Sequence, residues 1–157
     1  MSAADCTHGA DEVSEPLGGG FDSMREAYDA LGSDSYYQAH GADYRNPHEP
    51  VMLAALAHGL TGLEDSGELD CSTNWRTLDL SCGSGEGTLA LRQWAADPDY
   101  ARLPPLATAS DPYTFEAFEQ RMKMPCQRWS FEDVAGGVLE GQEPFQICIA
   151  TFSLQDY

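Results

Sequence analysis

Residues 75–88 read W-R-T-L-D-L-S-C-G-S-G-E-G-T. An apolar alternation (Trp75, Leu78, Leu80) runs into a cluster of small residues, Ser81, Cys82, Gly83, Ser84 and Gly85, with Glu86 and Gly87 behind them. Such a turn lets a ligand come against the main chain, because no Cβ stands in the way at glycine and positive φ is free of strain there. The helix that follows has unpaired N–H groups at its first residues, aimed at whatever lies in the turn. Two acids qualify the picture. Asp79 lies inside the apolar segment, where a buried carboxylate needs partners. Glu86 sits where its charge opposes a diphosphate. A dinucleotide loop has the form G-x-G-x-x-G and sets a pyrophosphate on the helix start; here Gly83-x-Gly85 is followed by Glu86, Gly87 and Thr88, without the third glycine.

Asp111 is the next informative residue. It ends a short apolar segment, residues 106–110 (L-A-T-A-S), and an acid at the end of the second strand can accept both hydroxyls of a ribose. The other reading is a helix N-cap, with Pro112 in the following position. The four histidines (His8, His40, His48, His58) are scattered, and structural or solvated roles suit them better than catalysis. No nucleophile pair and no metal-ligand cluster stands out, so no metal is expected.

The elements that must position these residues alternate. A helix is expected over residues 21–31, with Phe21, Met24, Tyr28 and Leu31 on one face and Gly32 at its end. A stretch dense in aromatic and polar residues follows at 35–48. Asn46-Pro47-His48-Glu49 has the form of a capping box, although Pro50 would move the helix start later. That helix should run to about Leu60, with Val51, Leu53, Leu56, Ala57 and Leu60 inward and Gly59 and Gly62 marking its end. Residues 61–74 read as an acidic loop. Strands are expected over 75–80, 106–110, 126–131 and 145–154, the last apolar enough to be buried on both faces. Helices intervene, one with Leu89, Leu91, Trp94 and Ala95 and one with Phe115, Phe118 and Met122. Strand–helix alternation implies a parallel sheet with crossovers.

Composition bounds the function. The 157 residues carry 8 basic and 26 acidic side chains, for a net charge of −18, and Lys123 is the single lysine. Such a surface repels phosphate backbones and argues against direct nucleic-acid binding. Five cysteines, odd in number and without a C-x-x-C pair, read as core thiols in a reducing compartment. No N-terminal apolar segment and no run of about 18 apolar residues occurs. A soluble, cytoplasmic, intracellular protein without membrane attachment is expected. The division is an acidic, disordered tail over 1–20, a helical leader and linker over 21–74, and a ligand-binding α/β domain over 75–157.

Leu78, Asp79, Leu80, Cys82, Gly83, Ser84 and Gly85 together resemble motif I of the class I S-adenosylmethionine-dependent methyltransferases. The departure is Ser81, where that family has glycine and where a positive φ would be strained. The resemblance implies a three-layer, Rossmann-like parallel sheet of about four strands with an N-terminal helical cap. That is incomplete against the family's seven strands, as in a fragment, and it leaves an exposed last strand open to a partner or to self-association. It implies S-adenosyl-L-methionine as cofactor, held by Asp79, Ser81, Cys82, Gly83 and Gly85, with Asp111 on the ribose. Ser130-Phe131-Glu132-Asp133 resembles the segment that meets adenine: Phe131 would pack on the ring and Asp133 would accept from its amino group, against a reading as a capping Ser and a core Phe. Residues 145–157 resemble motif IV, with Gln146 in place of the common aspartate and Gln155 in place of histidine. The 36–48 leader either covers the cofactor, with Arg45 facing its carboxylate and tyrosines near its sulfonium, or packs as core. The activity implied is methyl transfer to a small-molecule or protein acceptor, with no general base assigned. The other classes in view are a non-catalytic cofactor-binding or interaction module and, third, an NAD-dependent oxidoreductase.

Overall fold

Strand β1 (Arg76–Leu80) is the axis of the fold. Thr77, Asp79 and the preceding Trp75 alternate with Leu78 and Leu80, and all five are buried. Burial follows from pairing on both edges. In the computed structural model, which describes residues 24–151, β2 (Leu106–Ser110) and β3 (Ile147–Ile149) flank β1, both parallel to it, in the order β2-β1-β3. Arg76 pairs with Leu106 and Leu80 with Ser110 on one side, Thr77 with Ile147 and Asp79 with Ile149 on the other. Among the described residues the architecture is therefore α/β, a small open three-stranded parallel sheet with helices. The chain moves outward from β1 to β2 and then returns to the far side of β1. The strand order reverses there, and in open α/β sheets ligands lie outside the strand ends at such a point.

The expected strand over 126–131 does not form. Gln127 makes an isolated parallel bridge to Ser110, with its N–H on the Ala109 carbonyl at 2.8 Å and its own carbonyl accepting from Asp111 N–H at 2.9 Å. Pro125 has no N–H to extend the ladder on one side. On the other side Ser130 turns the chain into a short helix, Phe131–Ala135, through a capping box with Asp133. Of the strand expected over 145–154, the described residues form Ile147–Ile149, and 152–154 lie outside them. Ile147 is half-buried and Cys148 exposed, because β3 has a neighbour on one edge only among the described residues; the expectation of burial on both faces is corrected. The tail over 1–20, Phe21, and Gln155 at the far end lie outside the described residues.

Helix α1 (Met24–Leu31) ends at Gly32 as expected, but Leu31 is exposed while Ala27 is fully buried. Helix α2 (Ser33–His40) and a 3-10 turn (Gly41–Asp43) occupy the aromatic stretch. Helix α3 (Glu49–Asp65) takes Pro50 into its first turn, where a missing N–H is harmless. Asn46 does not cap it in the expected way: its Oδ1 accepts from His48 N–H at 2.9 Å, and the Glu49 carboxylate turns to Arg121. The helix passes Gly59 and Gly62, since tertiary contacts hold its last turns. Trp94 Nε1 donates to Thr61 Oγ1 at 2.9 Å, and Glu64 accepts from Arg102 Nε at 3.0 Å. Met52 and Leu60 are buried, Leu56, Ala57 and Leu63 are partly buried against the core, and Val51 is 65% exposed. The helix packs along α4 (Glu86–Ala95), and that contact sets which stripe faces inward.

Two apolar clusters result. One joins Leu60, Trp75, Leu91, Trp94 and Ile149, from α3, the residue before β1, α4 and β3. The other joins Cys82, Ala109, Phe118 and Met122, and so ties the turn after β1 to β2 and to helix α5 (Phe115–Met122). Arg102 closes the first. Its guanidinium lies 3.8 Å over both the Trp94 and Tyr100 rings, donates to the Trp94 carbonyl at 2.9 Å and pairs with Glu64. Replacing Arg102 by Ala removes the stacked cation and strands the Glu64 carboxylate. Arg102→Ala is expected to lower the unfolding free energy by about 2–4 kcal/mol, read as a shift of the urea midpoint at unchanged slope.

Candidate functional site

The turn after β1 is built by three residues with positive φ: Ser81 (59°), Gly83 (57°) and Gly85 (99°). At Gly85 a Cβ would stand 2.5 Å from Met122 Cγ and 3.2 Å from Phe118. That glycine admits helix α5 rather than a ligand. At Gly87 a Cβ would lie 2.9 Å from both carboxylate oxygens of Asp79. At Gly83 it would meet the Tyr44 ring at 2.9 Å. Close approach to this turn is thus made largely by the protein itself. Ser81 is the exception to glycine chemistry: a side-chain-bearing residue is held in the left-handed region, a strained state that needs support from its surroundings.

The two acids of the turn face inward. Asp79 is fully buried; its Oδ2 accepts from Thr88 Oγ1 at 2.7 Å and the carboxylate also takes the Thr88 amide. Thr88, in the first turn of α4, is thus tied back to β1. Asp79 Oδ1 has no partner among the described residues. Burial pushes this carboxyl up to about 6, against the opposing pull of Thr88. Glu86 is also buried. It accepts from Ser84 N–H at 3.0 Å, from the Ser84 hydroxyl, and from Asn46 N–H at 3.1 Å, with Arg121 Nη1 at 3.5 Å. Its charge is compensated inside the fold and is not presented to a ligand, so it does not oppose a diphosphate as its position in the sequence suggests. Arg121 in turn grips Glu49 with two contacts of 2.8 Å and holds that carboxyl below its ordinary range.

Asp111 closes the gap between the two strand ends. Its Oδ1 accepts from Tyr113 N–H at 2.9 Å and Thr114 N–H at 2.8 Å, and its Oδ2 from Gly83 N–H at 3.3 Å. Thr114 Oγ1 returns a bond to the Gly83 carbonyl at 2.9 Å. The N-cap of α5 is Thr114, so Asp111 is not the helix cap that the sequence offered; its carboxylate closes the turn before that helix. Oδ1 is filled by two donors, and Oδ2 keeps one lone-pair position, enough for one hydroxyl rather than two.

Beyond these strand ends lies a cavity of about 420 Å³. Of the residues singled out from the sequence, Ser81, Gly83, Asp111 and Phe131 line it. Asp79, Cys82, Gly85 and Asp133 do not. Cys82 turns its thiol to Cys126, Sγ to Sγ 3.5 Å, and that contact and burial push the thiol far up. Asp133 spends its carboxylate on Ser130 N–H and Oγ at 2.8 and 2.9 Å. Arg45 is exposed, with its guanidinium on the Tyr44 carbonyl. Gln146 is at the opposite end of the sheet, bonded to Arg76 in both directions.

The leader forms the facing wall. Tyr37 and Tyr44 line the cavity, with ring centroids 5.7 Å apart, and Tyr37 stacks on Tyr113 at 6.4 Å. Helix α2 is held there because Gly41 seats against the β2–α5 turn, where a Cβ would come within 2.3 Å of the Tyr113 carbonyl. Thr151, read from the sequence as the carboxyl end of the last strand, lines the wall too; Tyr113, Trp129 and Asp34 belong to it and were not singled out from the sequence. Tyr113 stands two residues after Asp111, and that adjacency to a strand end was the available signal. Asp34 and Trp129 carry no local signal, since only tertiary packing brings them in.

Comparison with known proteins adds a relative without a known role. An uncharacterized protein of Schizosaccharomyces pombe is 31% identical, over a match that covers 72% of this chain and 54% of that protein. The chain spans about half the length of the curated relative it matches. No family model matches the chain and no solved structure matches it. Among the described residues no helix is long and apolar enough to cross a membrane.

Two measurements follow from the turn. Ser81→Gly relieves the left-handed serine and is expected to stabilise the protein by about 0.5–1 kcal/mol, net of the extra freedom of the unfolded chain, while Ser81→Val should destabilise it by about 2 kcal/mol; equilibrium denaturation reads both. For Asp79, the native pKa lies above the unfolded value of 3.8. The native state then binds more protons between about pH 4 and 6, and this carboxyl lowers stability as pH rises through that window. Asp79→Asn should therefore gain on the parent protein from pH 4 to 6 and stay ahead above it, by about 3 kcal/mol at most. Parallel stability curves for the two proteins would refute the buried charge.

Proposed function

We propose that the chain carries a Rossmann-like S-adenosylmethionine site with a helical leader over it, and that it acts as a methyltransferase on a small-molecule or protein acceptor, as a soluble intracellular protein. The reading rests on one arrangement: the motif-I-like turn and Asp111 are joined by the Gly83–Asp111 bond at the wall of a cavity beyond the ends of β1 and β2. Three observations support the fit. The cavity volume is in the range of small-ligand sites. Oδ2 of Asp111 retains an acceptor position for a ribose hydroxyl. Ser81 adopts at the cavity wall the positive φ that glycine supplies in the resembled motif.

When bound, S-adenosylmethionine supplies an electrophilic methyl group on a sulfonium. The chain's own residues bind and orient. Asp111 fixes the sugar, Phe131 and Trp129 offer aromatic surface to the base, and Tyr37 and Tyr44 close the side opposite the strands. Rate enhancement by such a site comes from alignment of donor and acceptor.

Calorimetric titration of the full chain with S-adenosylmethionine and with NAD tests the class. Binding of the first and not the second is expected; a folded sample that binds neither overturns the proposal. Binding without turnover over a panel of amine, hydroxyl and thiol acceptors points to a non-catalytic module. Asp111→Asn keeps an oxygen for the Tyr113 and Thr114 amides but loses the ribose acceptor. It should weaken cofactor binding roughly tenfold and, because the Gly83 N–H loses its acceptor, also lower the melting temperature by a few degrees. Unchanged affinity would reduce Asp111 to a turn-closing residue.

A further inference from the structure

The wall contributed by the leader has a chemistry that the adenosyl group does not use. Asp34, Tyr37, Tyr44 and Tyr113 come together there, with Asp111 and Glu132 on the remaining sides of the same cavity. None of the described lining residues is Lys, Arg or His. The absence of a cation is local: Arg45 and Arg128 lie close by in the sequence, yet Arg45 turns to the Tyr44 carbonyl and Arg128 stacks over Phe115 at 3.8 Å. The tyrosines are fixed, not loose. Tyr37 and Tyr113 are nearly parallel (21°), Tyr44 is inclined to Tyr37 by 68°, and Gly83 and Gly41 leave no room behind Tyr44 and the Tyr113 main chain. Burial, and then the neighbouring Asp34 carboxylate, push the Tyr113 phenol up. Burial, and then Tyr37 and Glu86, push the Tyr44 phenol up as well. Both therefore stay neutral, electron-rich rings through the physiological range.

We infer that the leader wall is a subsite for a small organic cation, a quaternary or protonated amine or a sulfonium. Aromatic faces attract such ions through the ring quadrupole, and three carboxylates without a compensating side-chain cation in the cavity wall add a field of the same sense. The same field disfavours phosphate-bearing ligands, and here it is the cavity wall, not Glu86, that does so. The inference extends the methyltransferase reading to the cationic part of what that site holds. The cation has two sources, the sulfonium and ammonium of the cofactor or a separate amine acceptor.

The test uses the full chain, with choline as probe and 3,3-dimethylbutan-1-ol as its uncharged isostere, followed by tyrosine and tryptophan fluorescence. Choline is expected to bind tighter by roughly fivefold or more, and high salt should erode the preference. Asp34→Asn and Tyr37→Leu should each bring the ratio toward one. Asp34 is exposed, so its variant leaves the core intact, and far-UV circular dichroism confirms folding of the other. Equal binding of the two probes, or a ratio untouched by both variants, overturns the subsite. Repeating the choline titration with S-adenosylmethionine present separates the sources: competition assigns the wall to the cofactor's own charge, and simultaneous binding to a separate amine. If S-adenosylmethionine does not bind while choline is still preferred, the cofactor reading fails and the subsite stands. If S-adenosylmethionine binds without any preference for choline, the reverse holds.

Discussion

Much of this structure depends on one buried carboxylate. Glu86 sits at the first residue of α4, is about 1% exposed, and accepts from the Asn46 amide and from Ser84, with Arg121 beside it. Taking a carboxylate out of water costs several kcal/mol unless its lone pairs are filled and a counter-charge is near. Three separate parts of the chain must therefore meet around it: the segment leading into α3, the turn after β1, and helix α5. Arg121 then couples the same point to Glu49 at the start of α3. The position of the leader, and with it the aromatic wall of the cavity, follows from satisfying this single charge.

Asp79 states the complementary case. It lies behind the same helix start, takes the Thr88 amide and hydroxyl, and leaves one oxygen without a partner. Two carboxylates thus crowd a helix N-terminus from opposite sides, where the helix dipole favours negative charge. One is fully compensated and the other is pushed toward neutrality. The space between β1 and α4 is so tight that Gly87 has no room for a Cβ. The strained Ser81 stands, with Gly83, where this turn opens on the cavity. Strain of that kind persists where the surrounding structure over-determines it, as it does here through the Gly83–Asp111 and Thr114–Gly83 bonds.

The helix–strand order was legible wherever local chemistry decided it. Strand β2 and helix α5 appear where the apolar pattern and the bounding prolines put them, and the glycine turn joins β1 to α4 with Asp111 at the next strand end. Local signals misled where tertiary contacts outweighed them. Gly59 and Gly62 do not end α3, because Trp94 and Arg102 bond its last turns. The extended pattern at 126–131 yields one bridge, because Pro125 and the Ser130 cap leave no ladder to build.

By itself the sequence determined the parallel α/β alternation, the turn of small residues after β1 and the acid that ends β2. These are consequences of periodicity, of missing Cβ atoms and of proline's missing N–H, which act over a few residues. Only the tertiary structure decided which of the turn's residues face a ligand. Gly85 and Gly87 serve internal packing, Glu86 and Asp79 are consumed within the fold, and Ser81, Gly83 and Asp111 remain at the cavity. It also decided that Asp34, Tyr37 and Tyr44 should stand opposite them. That choice depends on contacts 40 and 72 residues apart, the Asn46 amide with the buried Glu86 and Glu49 with Arg121. Such partners carry no mark in the local sequence, because the energy that selects them exists only once water has been excluded from between them.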